Sequence, residues 1–214
     1  MELFVWLMLF TKTMIKKIFL FMGISFIVIS VVLSFNIYYN NLKLKNIEKK
    51  GIENYIIKST ENISEESEKV IKENTIKRNV NYYALLEIPK INLKKGLYEK
   101  SSYMNNVNRS VYILKESVFP NEREISNIYL ASHSGNSKVS YFKNLYKVNI
   151  NDYIYLFFNG NKYIYEVYDK YEIDKKGLLH INKTDKSNIT LITCKVGTDK
   201  QYVFNAELKQ VEKY

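Results

Sequence analysis

A mainly β fold, closed or nearly closed into a barrel of seven or eight short strands with small helices, is predicted from Tyr82 onward by three observations. Runs of Ile, Val, Leu, Tyr and Phe are short there and are punctuated by Asn, Gly, Asp, Ser and Lys, which is how strands and turns alternate. Asn159-Gly160 separates two such runs, Tyr153–Phe158 and Asn161–Val167, and supplies the positive φ angles of a tight hairpin turn. Seven or eight such short runs follow one another, with small helical turns between them, the series of a closed or nearly closed barrel.

In chain order, residues 1–17 read as a cytoplasmic N-terminus. MELFVWLMLF is apolar but too short to span, and Met14-Ile15-Lys16-Lys17 would itself make an ordinary start. Residues 18–39 form a transmembrane signal anchor: Ile18 to Phe35 is uncharged and Tyr38 and Tyr39 extend it. Lys12, Lys16 and Lys17 before it favour a cytoplasmic N-terminus with the remainder outside, although Lys43, Lys45, Lys49 and Lys50 follow closely. Ser34-Phe35-Asn36 makes a poor cleavage site, so the anchor is read as uncleaved. Residues 40–78, rich in Lys, Glu, Asn and Ser, read as a polar stalk, partly helical at best. The folded domain follows at 79–214. Its candidate strands are Tyr83–Ile88, Asn92–Tyr98, Ile128–Ser132, Asp152–Phe158, Asn161–Ile173, Ile189–Thr193 and Gln201–Leu208, with short helical turns at Tyr103–Asn108 and Ser140–Tyr146.

Composition narrows the chemistry. One cysteine permits no internal disulfide, and two histidines, His133 and His180, make a His or Cys metal cluster unexpected. Asp169, Asp174 and Asp185 form no calcium-loop pattern, so no metal and no cofactor is expected. The formal charge of +10 comes from scattered lysines rather than one basic block. It fits adaptation to an anionic surface, or equally a Lys- and Asn-rich composition, and no nucleic-acid partner is expected.

An unpaired cysteine in an exported protein is a chance buried residue, an intermolecular bridge or a reactive thiol. Cys194 closes Thr190-Leu191-Ile192-Thr193-Cys194 at the end of an apolar strand. His133 closes another, in Leu130-Ala131-Ser132-His133-Ser134-Gly135, where small neighbours leave room for an imidazole. Each alone reads equally as a satisfied structural residue. Together they are the nucleophile and base that this domain could assemble at neutral pH, and a barrel can bring positions 61 residues apart together.

TLITC after a strand, LASHSG about sixty residues before it, and Leu86-Glu87-Ile88-Pro89-Lys90-Ile91 at the start of the domain together resemble the sortase family of Gram-positive cell-surface transpeptidases. The resemblance implies a sortase-like barrel and a thiol transpeptidase of the cell membrane. It cleaves an LPxTG-like sorting signal through a thioacyl enzyme and passes the acyl group to an amine of a peptidoglycan cross-bridge, a lipid-linked precursor or a protein. Transferred onto this sequence, Cys194 is the nucleophile and His133 the general acid and base. The chain resembles the single-anchor classes more than the pilus-building class, since no second apolar run follows Tyr202.

The family's third catalytic residue is an arginine early in the last strand, and no arginine follows Cys194. Gln201 falls at that place with Lys200 beside it. Neither offers a guanidinium's planar fork, and Arg109 and Arg123 upstream are further candidates in space. Thr193 beside the nucleophile, and Leu178, Leu179 and Ile181 in the segment before the Cys strand, are candidate substrate contacts; the last three read equally as pinned loop residues. His180 competes with His133 but lies outside the motif. The missing arginine motivates an alternative, a catalytically weak or inactive binding domain; a stalked adhesin would require the Cys–His pairing to be accidental.

Overall fold

The computed structural model describes residues 2–61, 81–120, 123–176 and 185–214, and divides into one compact unit up to Lys49 and another from Lys50 to Tyr214. Helix α1 (Glu2–Glu61) contains no proline, so nothing removes a backbone donor along it. From Phe19 to Asn40 every side chain is exposed although most are apolar. A helix that is hydrophobic all round and uncovered by protein suits hydrocarbon, and this one is long and apolar enough to cross a membrane. Helix continues through the first part of the region read as a stalk, 40–61. In the second unit its last turns bury Gly51, and the Tyr55 hydroxyl donates to the Phe157 carbonyl at 3.1 Å.

The second unit carries eight strands: β1 (Ala84–Ile88), β2 (Leu93–Leu97), β3 (Tyr112–Ile113), β4 (Asn127–Ala131), β5 (Tyr153–Phe158), β6 (Asn161–Asp174), β7 (Asn188–Cys194) and β8 (Lys200–Lys213). They form one sheet in the order β2-β1-β5-β6-β8-β7-β4-β3, a nearly closed barrel in which every pairing between these strands is antiparallel except the parallel β4–β7. The Asn-Gly turn stands as expected: Asn159 and Gly160 have φ of 48° and 72°, and Phe158 pairs with Asn161 across it. Pro89-Lys90-Ile91 makes a single 3-10 turn, and left-handed Asn92 ends it, so the LEIPKI segment forms the β1–β2 corner. A second 3-10 turn, Leu145–Lys147, lies at the end of the segment expected to be helical near residue 140. Register shifts at Ile164/Tyr165 and Val167/Asp169 bend β6 around the barrel.

Strand alternation sends one set of side chains inward. Ile128 and Leu130 of β4, Ile189 and Leu191 of β7, and Phe204 and Ala206 of β8 join Leu86, Ile88, Phe119, Phe142 and Tyr165 in one fully buried core. By the same alternation Ala131, Ile192, Cys194, Gln201 and Val203 belong to the other face. At Gly96, opposite Leu85 in the β1–β2 pairing, an added Cβ would stand 2.3 Å from the Tyr82 ring. Gly96→Ala is therefore expected to cost about 1–3 kcal/mol, because the ring must leave its place against Tyr98. Thermal unfolding would show a fall of several degrees, roughly 2–4 °C per kcal/mol for a chain of this size.

Candidate active site

Register brings the two candidate residues together. In the parallel pairing each β4 residue faces the β7 residue 61 positions later, Asn127 with Asn188 through Ala131 with Ile192. His133 and Cys194 each stand two residues beyond the last of these pairs. The strand ends are tied at this point: Ser132 N–H donates to Ile192 O at 3.3 Å, Thr193 Oγ1 donates to Ser132 O at 2.8 Å, and the Ser134 hydroxyl donates to the Cys194 carbonyl. On the other side, antiparallel pairing places Gln201 of β8 opposite Cys194. Residues directly opposite in a ladder share a face, so Cys194 and Gln201 lie in one row across β7 and β8, on the face away from the core, with His133 just past the end of the neighbouring β4.

The main chain of His133 is held by Phe142 N–H, which donates to its carbonyl at 3.1 Å. Its ring Nε2 lies 3.1 Å from Oδ1 of Asn108. Through this contact the Asn108 amide orients the imidazole and leaves Nδ1 without a partner on that side. The loop that brings Asn108 is anchored by Asn105, whose side chain accepts from Ile113 N–H at 2.7 Å and donates to Ile113 O at 3.0 Å. Cys194 is the free cysteine of the chain and is partly exposed. Its partial exposure sets aside the first of the three fates of an unpaired cysteine, a residue sealed in the core, and leaves an intermolecular bridge or a reactive thiol.

The cations near the row differ in their availability. Lys195 donates to Glu172 at 2.6 Å and Lys200 stands 3.8 Å from the same carboxylate. The Lys195 hydrogen bond, with the charges of both lysines, holds Glu172 below the usual carboxylate range, and Glu172 holds Lys195 above its own. Lys200 thus serves an ion pair outside the row, whereas Gln201 lies in it. Arg109 follows Asn108, but its guanidinium stacks 3.6 Å from the Tyr103 ring centroid and also donates to the Tyr103 hydroxyl. Arg123 is exposed. Leu178, Leu179, His180 and Ile181 lie outside the described residues.

A cavity of about 220 Å³ opens beside the thiol, walled by Ser134, Phe142, Tyr146, Thr193, Val196 and Tyr202, with Lys143 and Lys195 also lining it. Thr193, a candidate from sequence, is thus a wall residue as well as a strand tie. Asn108, Tyr146 and Tyr202 were not legible as site residues. Ser134 was visible within the SHSG string but without its role, since its bond to Cys194 O crosses 60 residues of chain. Among the described residues no group of three or more His, Cys, Asp or Glu side chains could hold a metal ion.

The family model described as Sortase domain matches residues 86–209, more than half of the chain. Among solved structures, sortase A of Listeria monocytogenes matches with TM-score 0.53 and 25% identity, over 62% of this chain and 90% of that one. Sortase C1 of Streptococcus agalactiae, in complex with MTSET, matches with TM-score 0.53 and 25% identity, over 59% of this chain and 68% of that one. Sortase C-1 of Actinomyces oris, at 23% identity and TM-score 0.53 over 59% of this chain and 73% of that one, shares the fold. No curated protein matches the sequence.

Proposed function

We infer from one premise, that the chain belongs to the sortase family, that it is a membrane-anchored cysteine transpeptidase acting on an LPxTG-like sorting signal through a thioacyl intermediate. The observation that supports the reading is the parallel β4–β7 pairing, which ends two residues short of both His133 and Cys194, with Gln201 paired to Cys194 on the next strand. The Cys194 thiolate attacks the carbonyl carbon of the threonine, and charge gathers on its oxygen. The Thr–Gly C–N bond then breaks, the leaving amine takes a proton from the His133 imidazolium, and a thioester remains on Sγ. An acceptor amine attacks that thioester and gives its proton to His133. The C–S bond breaks and the thiolate returns. Atoms and charge balance over the cycle with no cofactor.

Gln201 is the candidate oxyanion donor. It pairs with Cys194 across β7 and β8, and its neutral amide would donate where the family's arginine offers a charged fork. Losing one such donor typically costs about 100- to 1,000-fold in rate, so this reading expects a slow enzyme. Gln201→Arg is accordingly expected to raise kcat/KM about tenfold or more on any peptide the enzyme cleaves. An unchanged or lower value would remove Gln201 from the oxyanion site. Acceptors of the reading are amines of a peptidoglycan cross-bridge or a lipid-linked precursor. Residues 18–39 would anchor the chain with the domain outside, as Lys12, Lys16 and Lys17 favour.

The test is cleavage of a panel of LPxTG-like peptides by the full chain in detergent micelles, with an added amine, followed by separation of the products. Both the C-terminal fragment and the amine-capped N-terminal fragment are expected. The absence of an arginine from the row favours a second reading, a sortase-like domain that binds sorting signals without turnover. Tight peptide binding with no fragment from any peptide would decide for it.

A further inference from the structure

A register shift in β6 turns one lysine into the barrel. Val167 pairs with Ala206 of β8, but the next pair is Asp169 with Asn205, so Tyr168 is the extra residue of a bulge. Alternation is displaced by one from there on, and Lys170 rather than Asp169 falls opposite Phe204, a fully buried core residue, and shares its face. The half-buried Lys170 runs past two rings, with Nζ 5.0 Å from the Phe204 centroid and 5.9 Å from that of Tyr202. Its ammonium then donates to the carbonyls of Tyr146 and Val148 at 2.8 and 2.9 Å, at the end of the 3-10 turn Leu145–Lys147. A compact ammonium with three rotatable donors suits two carbonyls at one spot.

That turn belongs to the site. The Phe142 carbonyl accepts Leu145 N–H at 3.0 Å, the Leu145 carbonyl accepts Val148 N–H at 2.9 Å, and Phe142 N–H donates to the His133 carbonyl at 3.1 Å. The stretch 142–148 is thus tied to the His133 main chain at one end and to Lys170 at the other. It contributes Phe142, Lys143 and Tyr146 to the cavity beside Cys194, where Val196 and Tyr202 complete a mostly apolar wall. Tyr146 is 53% exposed, so its own burial does little to fix it, and the two charge-assisted hydrogen bonds from Lys170 supply the constraint. Resting on the transpeptidase reading, we propose that Lys170 is a positioning residue for specificity: it holds the Tyr146 wall in place, and that wall selects an apolar group beside the carbon that Cys194 attacks.

Cys194 is the single cysteine of the chain, so thiol alkylation reports on this site alone. The full chain in detergent micelles is offered iodoacetamide and N-benzyliodoacetamide together, and intact mass gives the ratio of benzyl to unsubstituted adduct. Competition for one thiol cancels any change in thiolate population, and N-acetylcysteine in the same micelles supplies the ratio of a thiol with no wall. Packing of the benzyl ring on the wall is expected to lift the wild-type ratio about tenfold above that reference. Lys170→Met keeps the apolar stem but donates nothing, and its ratio should fall to within about twofold of the reference, whereas Lys170→Arg keeps the donors and should stay near the wild type. Tyr146→Ala, which removes the wall and leaves the tie, should fall as Lys170→Met does. The ratio is read on protein whose thermal transition shows it folded; if Lys170→Met does not fold, Lys170→Gln, neutral and shorter, takes its place with the same expected fall. A wild-type ratio equal to the reference, or one that Lys170→Met or Tyr146→Ala leaves unmoved, overturns the assignment, while the transpeptidase reading, tested by cleavage and transfer, stands. No adduct from either reagent would remove the accessible thiol, and the transpeptidase reading with it.

Discussion

Cys194→Ala is expected to abolish cleavage and transfer completely, with no thioacyl species formed from any peptide. Every covalent step passes through Sγ, and among the described residues there is no second cysteine to take its place. The substitution should leave the fold intact. Cys194 is the last residue of β7, partly exposed and outside the buried core, so its loss is expected to change stability by no more than about 0.5 kcal/mol. Cys194→Ser separates chemistry from packing, since it keeps size and geometry but replaces a thiolate by a far weaker nucleophile. A thermal transition unchanged from the wild type, together with lost activity, is the expected pair of results. Cleavage that persists in Cys194→Ala would remove the thiol from the mechanism.

His133→Ala is expected to lower the rate of both acylation and transfer by about 100- to 10,000-fold, a barrier increase of about 3–5 kcal/mol. Both steps should suffer because the same ring gives a proton to the leaving amine and takes one from the incoming amine. The Asn108 amide, 3.1 Å from Nε2, orients the ring for this exchange. Single-turnover measurements resolve the two steps separately. A variant slowed in only one of them would show that another group handles the second proton, and a variant slowed in neither would return His133 to a structural role.

Much of the fold was legible because it is written locally. The Asn159-Gly160 turn, the strand runs around it and the apolar helix need only periodicity and turn chemistry. The two-residue β3 was not expected, since so short an element shows no alternation. β8 reaches Lys213 rather than Leu208 because Lys209, Gln210 and Glu212 are ordinary on a solvated strand and dilute the pattern. The polar region after residue 40 was read as helical in part at best, yet helix runs to Glu61, where Lys and Glu cost a helix little.

Within the candidate site, His133 and Cys194 could be proposed from two strand ends, but the neighbouring of those ends could not. It depends on a parallel β4–β7 pairing, which no short sequence window encodes. Asn108 was out of reach for the same reason: its contact with His133 crosses 25 residues and depends on Asn105 pinning the loop to β3. Gln201 was proposed from the hydrophobic pattern of the last strand, and it pairs with Cys194 in the β7–β8 register.

The most direct test is the intact mass of the full chain in detergent micelles after mixing with LPxTG-like peptides. A covalent adduct equal to the peptide cleaved after its threonine, carried on Cys194 and discharged by an added amine, is the result that a thioacyl transpeptidase requires. Peptide bound at saturation with the mass of the protein unchanged, while its thermal transition shows it folded, would contradict it.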